Sequence, residues 1–414
     1  MFSHPAFKSH ISTSRVLIPL GIGIALSLLG DSTLYTVLPK PEIATQAGVT
    51  LAMVGILLGI NRIVRLGFNV VAGILYDRFP RRWLMIGSLS IGTISTVLYA
   101  TSTGFWTLLL GRVLWGAAWS GLWIGGTTIV LDVADEQNRG RLSGQFQMWF
   151  FLGVGLSAFL GGLFTDAFGF RDGLWLSALL NGIAVLMWIF FMPETRTRRG
   201  ADSKRTYPIF DKSFPWRTTI FAAIPALAIR FVYAGVMAST TILWLTSLVG
   251  EQLLLSKVAI PIATLTGSFV ALRATISMIG GPLAGFFSDT FGQRWLVIAW
   301  IITFGAVGMW FMGGSVISIA LLGALIASTS GGGVQALIPA IIGDKIDQTQ
   351  HGRSLGAIYA VGDIGSALGP PLALWLMGLL SINTVYRLSA CLLFIAACFA
   401  LWRAVSEKKC EMTR

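Results

Sequence analysis

The stretch Gly73-Ile74-Leu75-Tyr76-Asp77-Arg78-Phe79-Pro80-Arg81-Arg82 decides how this chain folds. It is a short charged turn between two apolar runs, one opening near Leu51 and the other running from Trp83 to about Thr101. Each run has the roughly 20 residues that an α-helix needs to cross a bilayer. Pro80 cannot continue a helix, and it pushes Phe79 towards extended backbone, which fixes the turn. A turn this short crosses nothing, so both helices return to one face.

The turn recurs as Gly285-Phe286-Phe287-Ser288-Asp289-Thr290-Phe291-Gly292-Gln293-Arg294. Asp77 and Asp289 lie 212 residues apart, as do Arg82 and Arg294. The same offset relates Asp132 to Asp344, Gly140-Arg141 to Gly352-Arg353, and Leu176-Ser177-Ala178 to Leu388-Ser389-Ala390. A constant register across separate blocks reads as two similar halves fused in tandem.

Composition sets the medium. The chain is 55% hydrophobic and 12% charged, with mean hydropathy +0.76, a balance of polytopic membrane proteins. Its net charge of +12 is scattered between apolar runs, which argues against a nucleic-acid partner. Cys391, Cys398 and Cys410 show neither a disulfide framework nor metal spacing, and no metal or cofactor is expected. The N-terminal apolar run has no convincing cleavage site and is read as a retained first span.

Apolar runs fall at about 16–38, 50–76, 83–102, 105–131, 142–166 and 174–192, then at about 217–248, 258–287, 295–313, 316–342, 354–380 and 385–403. Lipid offers backbone groups no partners, so these long runs are helices. The expected fold is an all-α integral membrane protein of twelve transmembrane helices in two pseudo-symmetric six-helix bundles. Residues 1–192 form the first bundle, 193–216 a basic linker, and 217–414 the second. With a cytoplasmic N-terminus, the outer loops hold only Lys40, Arg171, Lys257 and Arg387, so both termini and the linker are placed in the cytoplasm. The linker's basic residues read as a solvated tether. Short outer loops suit a bacterial inner membrane, and no obligate partner is indicated, so a monomer is expected.

Gly73-x-x-x-Asp77-Arg78-x-x-Arg81-Arg82 resembles the loop-2/3 signature of the major facilitator superfamily of secondary transporters, with Pro80 where that family usually has glycine. Gly285, Asp289, Gly292 and Arg294 are similar to its loop-8/9 partner. Asp132, Arg139, Gly140 and Arg141 resemble the segment closing its fourth helix. Arg112 with Gly116 is similar to the fourth-helix motif of proton-coupled members. The resemblance implies a canyon between two bundles, a midplane substrate site and alternating access. It also implies a cytoplasmic gate of Gly73, Asp77, Arg78, Arg81, Arg82, Asp132 and Arg141 with Gly285, Asp289, Arg294, Asp344 and Arg353. In that gate, Asp77 beside Arg81 and Arg82 would face the positive end of the helix beginning near Arg353. The bland alternative is that these charges only anchor helix ends.

An ionisable side chain at membrane depth costs at least about 2.5 kcal/mol and needs a reason. Asp31, Arg62, Arg65, Arg112, Arg230, Arg273 and Asp363 are the candidates, and His4, His10 and His351 all fall outside the spans. A proton carrier at depth is therefore Asp31 or Asp363. Asp31, followed by Pro39, resembles the first-helix acid of proton-coupled antiporters. The resemblance makes Arg112 its counter-charge; the alternative is a static structural pair. In helix five, Gly153-Val154-Gly155 to Gly161-Gly162 lacks the Gly-Pro pair of the antiporter motif, and Gly365, Gly369 and Pro370 in helix eleven are more similar to it.

Five arginines against two aspartates at depth suggest an anionic or amphiphilic substrate held by guanidinium forks, with Arg62, Arg112 and Arg230 as candidate ligands. Snorkelling of Arg65 and Arg273 towards the interface is the competing account. Trp115, Trp119 and Trp123 form a helical stripe that reads mainly as packing, with Trp119 also a candidate substrate contact. No nucleotide loop, metal cluster or nucleophile constellation marks an enzyme. The expected function is proton-coupled export of a small organic solute. An organic-anion carrier without proton movement and a non-transporting receptor are the other readings.

Overall fold

The computed structural model describes residues 13–134, 139–195, 214–255, 258–346 and 351–412. Twelve helices in it are long and apolar enough to cross a membrane. Spans 1 to 6 are Thr13–Val37, Leu51–Tyr76, Arg81–Ala100, Phe105–Val133, Leu142–Phe168 and Phe170–Phe191. Spans 7 to 12 are Trp216–Val249, Ile262–Ser288, Arg294–Met312, Ile317–Lys345, Ser354–Leu376 and Ile382–Lys408. Each lies within a few residues of a run expected from hydropathy. Their apolar residues collect into two buried cores. One draws on residues up to Met192 together with Ala263 and Leu374, and the other on residues from Ala222 onward.

Three local departures were not visible as hydropathy. Span 1 is interrupted at Leu28, between helices Thr13–Ser27 and Leu29–Val37, just before Gly30 and Asp31. Span 7 widens into a π-helix over Arg230–Met237. Pro225 precedes it, and a helix-interior proline both removes a hydrogen bond and crowds the turn before it. Between spans 7 and 8 the apolar run around residue 258 is not helical. Strands β1 (Gln252–Leu255) and β2 (Val258–Pro261) pair there as an antiparallel hairpin.

The recurrent turn is built by two different stops. Span 2 continues to Arg78 and ends against Phe79-Pro80, whereas span 8 continues to Phe291 and ends at Gly292. Gly292 has φ 64°, a left-handed conformation that costs other residues about 1 kcal/mol or more. The second copy therefore runs one residue longer, yet spans 3 and 9 each begin on an arginine, Arg81 and Arg294.

The halves interlock on the face opposite the chain ends, called distal here. A Cβ added to Gly162 would lie 2.1 Å from the Ala263 carbonyl oxygen, and one on Gly267 would lie 2.3 Å from that of Ala158. A Cβ on Gly59 would meet the Ala367 carbonyl oxygen at 2.2 Å. Spans 5 and 8, and spans 2 and 11, therefore cross backbone against backbone, as small residues permit in lipid. Lys40 pairs with Glu251 across the same face, and Asp166 Oδ2 accepts from the Thr264 backbone N–H and hydroxyl, both at 2.6 Å. Towards the other face the fit is lost. Span 2 buries six of the eight residues Val54–Asn61 but only Ala72 between Arg62 and Leu75. The cleft between the halves thus opens towards the face that carries the chain ends.

Candidate functional site

Asp31 lies two residues beyond the Leu29 start of the second helix of span 1, and its carboxylate pairs with the Arg112 guanidinium of span 4. Arg112 is 0% exposed. Its Nε also donates to the Leu57 carbonyl oxygen at 2.8 Å, and Nη2 reaches that of Leu58 at 3.4 Å. Gly116, one turn along span 4, explains the reach. A Cβ there would stand 2.7 Å from the Asn61 carbonyl oxygen, so glycine lets spans 2 and 4 close up. A buried cation needs such acceptors, and each of the three guanidinium nitrogens has one.

Tyr35 follows Asp31 by one helical turn and was not singled out from the sequence. Its hydroxyl donates to the Leu58 carbonyl. Its ring carries Arg112 at 5.4 Å and Arg62 at 5.9 Å from the centroid, both within cation–π range. The i, i+4 spacing from Asp31 was the available signal.

The second acid joins the halves. Asp363, 3% exposed on span 11, receives Arg65 of span 2 on Oδ2 at 3.2 Å and Arg230 of span 7 on Oδ1 at 3.1 Å. One carboxylate thus links two guanidiniums from opposite halves. Arg230 opens the π-helical turn and also lies 5.9 Å from the Tyr359 ring centroid. Arg65 is engaged at depth rather than snorkelled to the interface, with its side chain 11% exposed. Arg273 donates to Ser328 Oγ at 3.2 Å. Among the described residues no carboxylate pairs with Arg62 or Arg273, and the Nε atoms of Arg62 and Arg65 are buried without hydrogen-bond partners. Beside Arg230 a half-open cleft of about 310 Å³, counting space open to solvent, is lined by Ala226, Ile229, Val334, Gln335, Ile338, Ile358 and Tyr359.

Trp119 is 6% exposed and lies in an aromatic column, with Trp115, Trp123 and Phe150 each 5.7 Å away between ring centroids. Packing accounts for these contacts, and Trp123 and Phe150 form the half-buried end of the column.

At the terminal face, Arg81 Nε donates to Asp132 Oδ2 at 3.2 Å, and Thr195 donates to the same oxygen at 3.1 Å. In the second half Arg294 grips Asp344 through Nε and, at 3.2 Å, through Nη2. Each pair stays within its own half, so separation of the halves leaves both intact. The N-terminus of span 3 is met by Glu194, whose two oxygens accept from the backbone N–H groups of Arg81 and Arg82 at 3.0 and 3.1 Å. That satisfies two orphan donors at the positive end of the helix. Arg82 donates to the Ile189 carbonyl and covers the Trp83 ring at 5.4 Å. Arg78 is exposed. Neither Gly73 nor Gly285 has a neighbour within 4 Å of its Cβ position, which marks open space. The side chains of Asp77, Arg141, Asp289 and Arg353 lie outside the described residues.

Comparison with known proteins agrees with this fold. The chain is 24% identical over 374 residues to the class C tetracycline resistance protein of Escherichia coli, covering 90% of this chain and 87% of that one. It is 29% identical over 180 residues to the inner membrane transport protein YajR of Escherichia coli K12, a match covering 43% of this chain and only 38% of that relative. Among solved structures, a bacterial homolog of the human lysosomal transporter Spinster, inward-facing and occupied, superposes with TM-score 0.75 at 17% identity over 98% of both chains. The Major Facilitator Superfamily model matches residues 20–280 and 261–411, nearly the whole described chain, and the protein belongs to that superfamily of membrane transporters.

Proposed function

We propose that this transporter exports a small organic solute by alternating access, coupled to protons. The observation that carries the reading is Asp363, a buried carboxylate shared by Arg65 of one half and Arg230 of the other. While ionised it draws the halves together. With a proton on it, two guanidiniums of like charge remain at the seam and favour separation. Asp31 and Arg112 form a second proton-responsive pair, confined to the first half. Residues 1–192 and 217–414 act as the two moving bodies, tethered by 193–216.

In this reading the cleft is the cytoplasmic entrance, with both termini in the cytoplasm, and the membrane is a bacterial inner membrane. The loop distribution of Lys and Arg supports that orientation, and similarity to the tetracycline resistance proteins supports the export direction. Gly73, Asp77, Arg78, Arg81, Arg82, Asp132 and Arg141, with Gly285, Asp289, Arg294, Asp344 and Arg353, form the cytoplasmic gate. Arg62, Arg112, Arg230 and Trp119 line or support the solute path. Within the gate, the Arg81–Asp132 and Arg294–Asp344 pairs keep each half rigid as the seam opens.

A solute-free experiment tests the reading. Spin labels at positions 40 and 251 report the distal seam, and labels at 78 and 294 report the opposite side. In reconstituted protein, stepping the pH should lengthen one distance while shortening the other, and Asp363→Asn should abolish the response. Distances that do not change reciprocally would refute proton-driven alternating access.

A further inference from the structure

We propose that Arg62, Arg65 and Arg230 form an anion site in which Asp363 stands in for the carboxylate of an amphiphilic organic acid. The inference rests on the transport reading above and names the solute class of that site. Three observations lead to it. The midsection holds five guanidiniums and two carboxylates, and Asp31 is already committed to Arg112. Among the described residues Arg62 has an aromatic face but no carboxylate in ion-pair contact, and its Nε is buried without a hydrogen-bond partner. Asp363 spreads its two oxygens over guanidiniums of spans 2 and 7, the arrangement a bidentate solute carboxylate would adopt.

The adjoining cleft supplies the rest of the recognition. Ala226, Ile229, Val334, Ile338 and Ile358 give it apolar walls, with Arg230 and Tyr359 on its lining. The space enclosed there is only about 20 Å³, room for little more than a water, so the cleft must widen to seat an organic body. An apolar body seated there would hold its acid group against Arg230. A cation would instead be repelled by the surplus guanidiniums, and a neutral solute would leave the buried Nε atoms unanswered.

The sense of coupling follows from charge conservation. When a solute carboxylate takes Arg65 and Arg230, Asp363 loses both partners. The groups facing it are then Arg62 and Arg65 from span 2, Arg230 from span 7, and Tyr359 from its own span. With the guanidiniums occupied by another anion, the displaced carboxylate takes a proton from water and becomes neutral. Solute anion and proton then leave together, with no net charge moved. On the far side Asp363 gives up its proton as the solute departs and pairs again with the two arginines, and the emptied site then returns without one. Export is driven by accumulation of the acid inside.

The test uses purified full-length protein and a matched set of probes. Phenylacetate, 4-phenylbutyrate and octanoate are titrated beside their primary amides and the corresponding amines, with binding heat and proton uptake recorded together. The acids should bind at least about tenfold tighter than the amides, the discrimination that a charge-assisted hydrogen bond provides. About one proton should be taken up per acid bound. Arg62→Gln and Arg230→Gln should each erase most of the acid preference while leaving amide binding in place. Asp363→Asn, which frees the arginines, should tighten acid binding and abolish proton uptake. Melting curves of each variant confirm that it is folded. Equal binding of acids and amides, preference for amines, or loss of acid binding in Asp363→Asn would overturn the proposal. Reciprocal spin-label motion alongside any of those results would refute the acid class alone and leave the transport reading standing.

Discussion

The Asp31–Arg112 pair gives the most direct measure of how the midsection is held. The perturbation is a double-mutant cycle of Asp31→Asn, Arg112→Gln and the two combined. Removing one member of a buried ion pair costs about 3–5 kcal/mol, because the other charge is left uncompensated. Arg112→Gln belongs near the top of that range. It strands Asp31 and also removes the donor to the Leu57 carbonyl at 2.8 Å, a bond worth about 1 kcal/mol net. Asp31→Asn belongs near the bottom, because Arg112 keeps both carbonyl acceptors and the Tyr35 ring. The double variant has neither charge, so its loss should fall about 2–3 kcal/mol short of the sum. Reversible denaturation in mixed micelles reads all four corners. An additive cycle, within about 0.5 kcal/mol, would refute the claim that these charges stabilise one another. The same proteins report function. Proton release on stepping the pH of the solute-free parent should be reduced in Asp31→Asn, and unchanged release would assign Asp31 a purely structural part.

Three further outcomes are expected. Tyr35→Phe should keep proton-driven transport, since the ring still separates Arg62 from Arg112, whereas Tyr35→Leu should lower the ratio of proton-driven accumulation to counterflow about tenfold; equal behaviour of the two variants would refute a role for the ring. Gly162→Val places a side chain where the Ala263 carbonyl oxygen lies 2.1 Å from the Cβ position, so the distal seam should stay open, read as raised cysteine labelling at residues 40 and 251. Single cysteines at positions 78 and 294 should label from the same side of the membrane, and labelling from opposite sides would break the pseudo-symmetric fold.

Much of the scaffold was legible because membrane helices announce themselves by length and hydropathy, and the repeated turn fixed the duplication. Legibility failed where the deciding contact is tertiary or the backbone subtle. The 212-residue offset equates Arg82 with Arg294, yet Arg81 is the residue that pairs with Asp132. Pro80 stops span 2 one residue earlier than Gly292 stops span 8, and the arginine that opens the next helix shifts accordingly. Pairing of Asp31 with Arg112 was inferable through family resemblance, but the sharing of Asp363 between halves was not. It depends on Gly55 and Gly59 bringing span 2 against the backbone of span 11, which no local pattern records. Glu194 has the local sequence of ordinary linker, and only the tertiary fold sets its oxygens on the first amides of span 3. The hairpin at Gln252–Pro261 has the composition of a helix start, and its pairing with a neighbouring strand decides otherwise.

The scaffold is symmetric and the chemistry is not, and that asymmetry locates the coupling. At the 212-residue offset, Asp31 and Arg112 correspond to Leu243 and Ala324, while Arg65, Arg230 and Asp363 correspond to Ser277, Ile18 and Phe151. Each half therefore lacks the other's charge set. The first half satisfies its own acid internally, whereas the acid of the second half pairs with Arg230 of its own half and also reaches across the seam to Arg65. If that reach is electrostatic, exchanging the charges should preserve it. Arg65→Asp alone puts two carboxylates together, and Asp363→Arg alone surrounds the seam with arginines, so each should destabilise the closed distal face and abolish transport. The combined variant restores one carboxylate–guanidinium pair across the seam between positions 65 and 363, while position 363 now faces Arg230 with like charge. It should recover part of the melting temperature and distal closure lost in the single variants, even if solute recognition is altered. Failure of the double exchange to recover more than either single change would show that shape rather than charge joins the halves at Asp363.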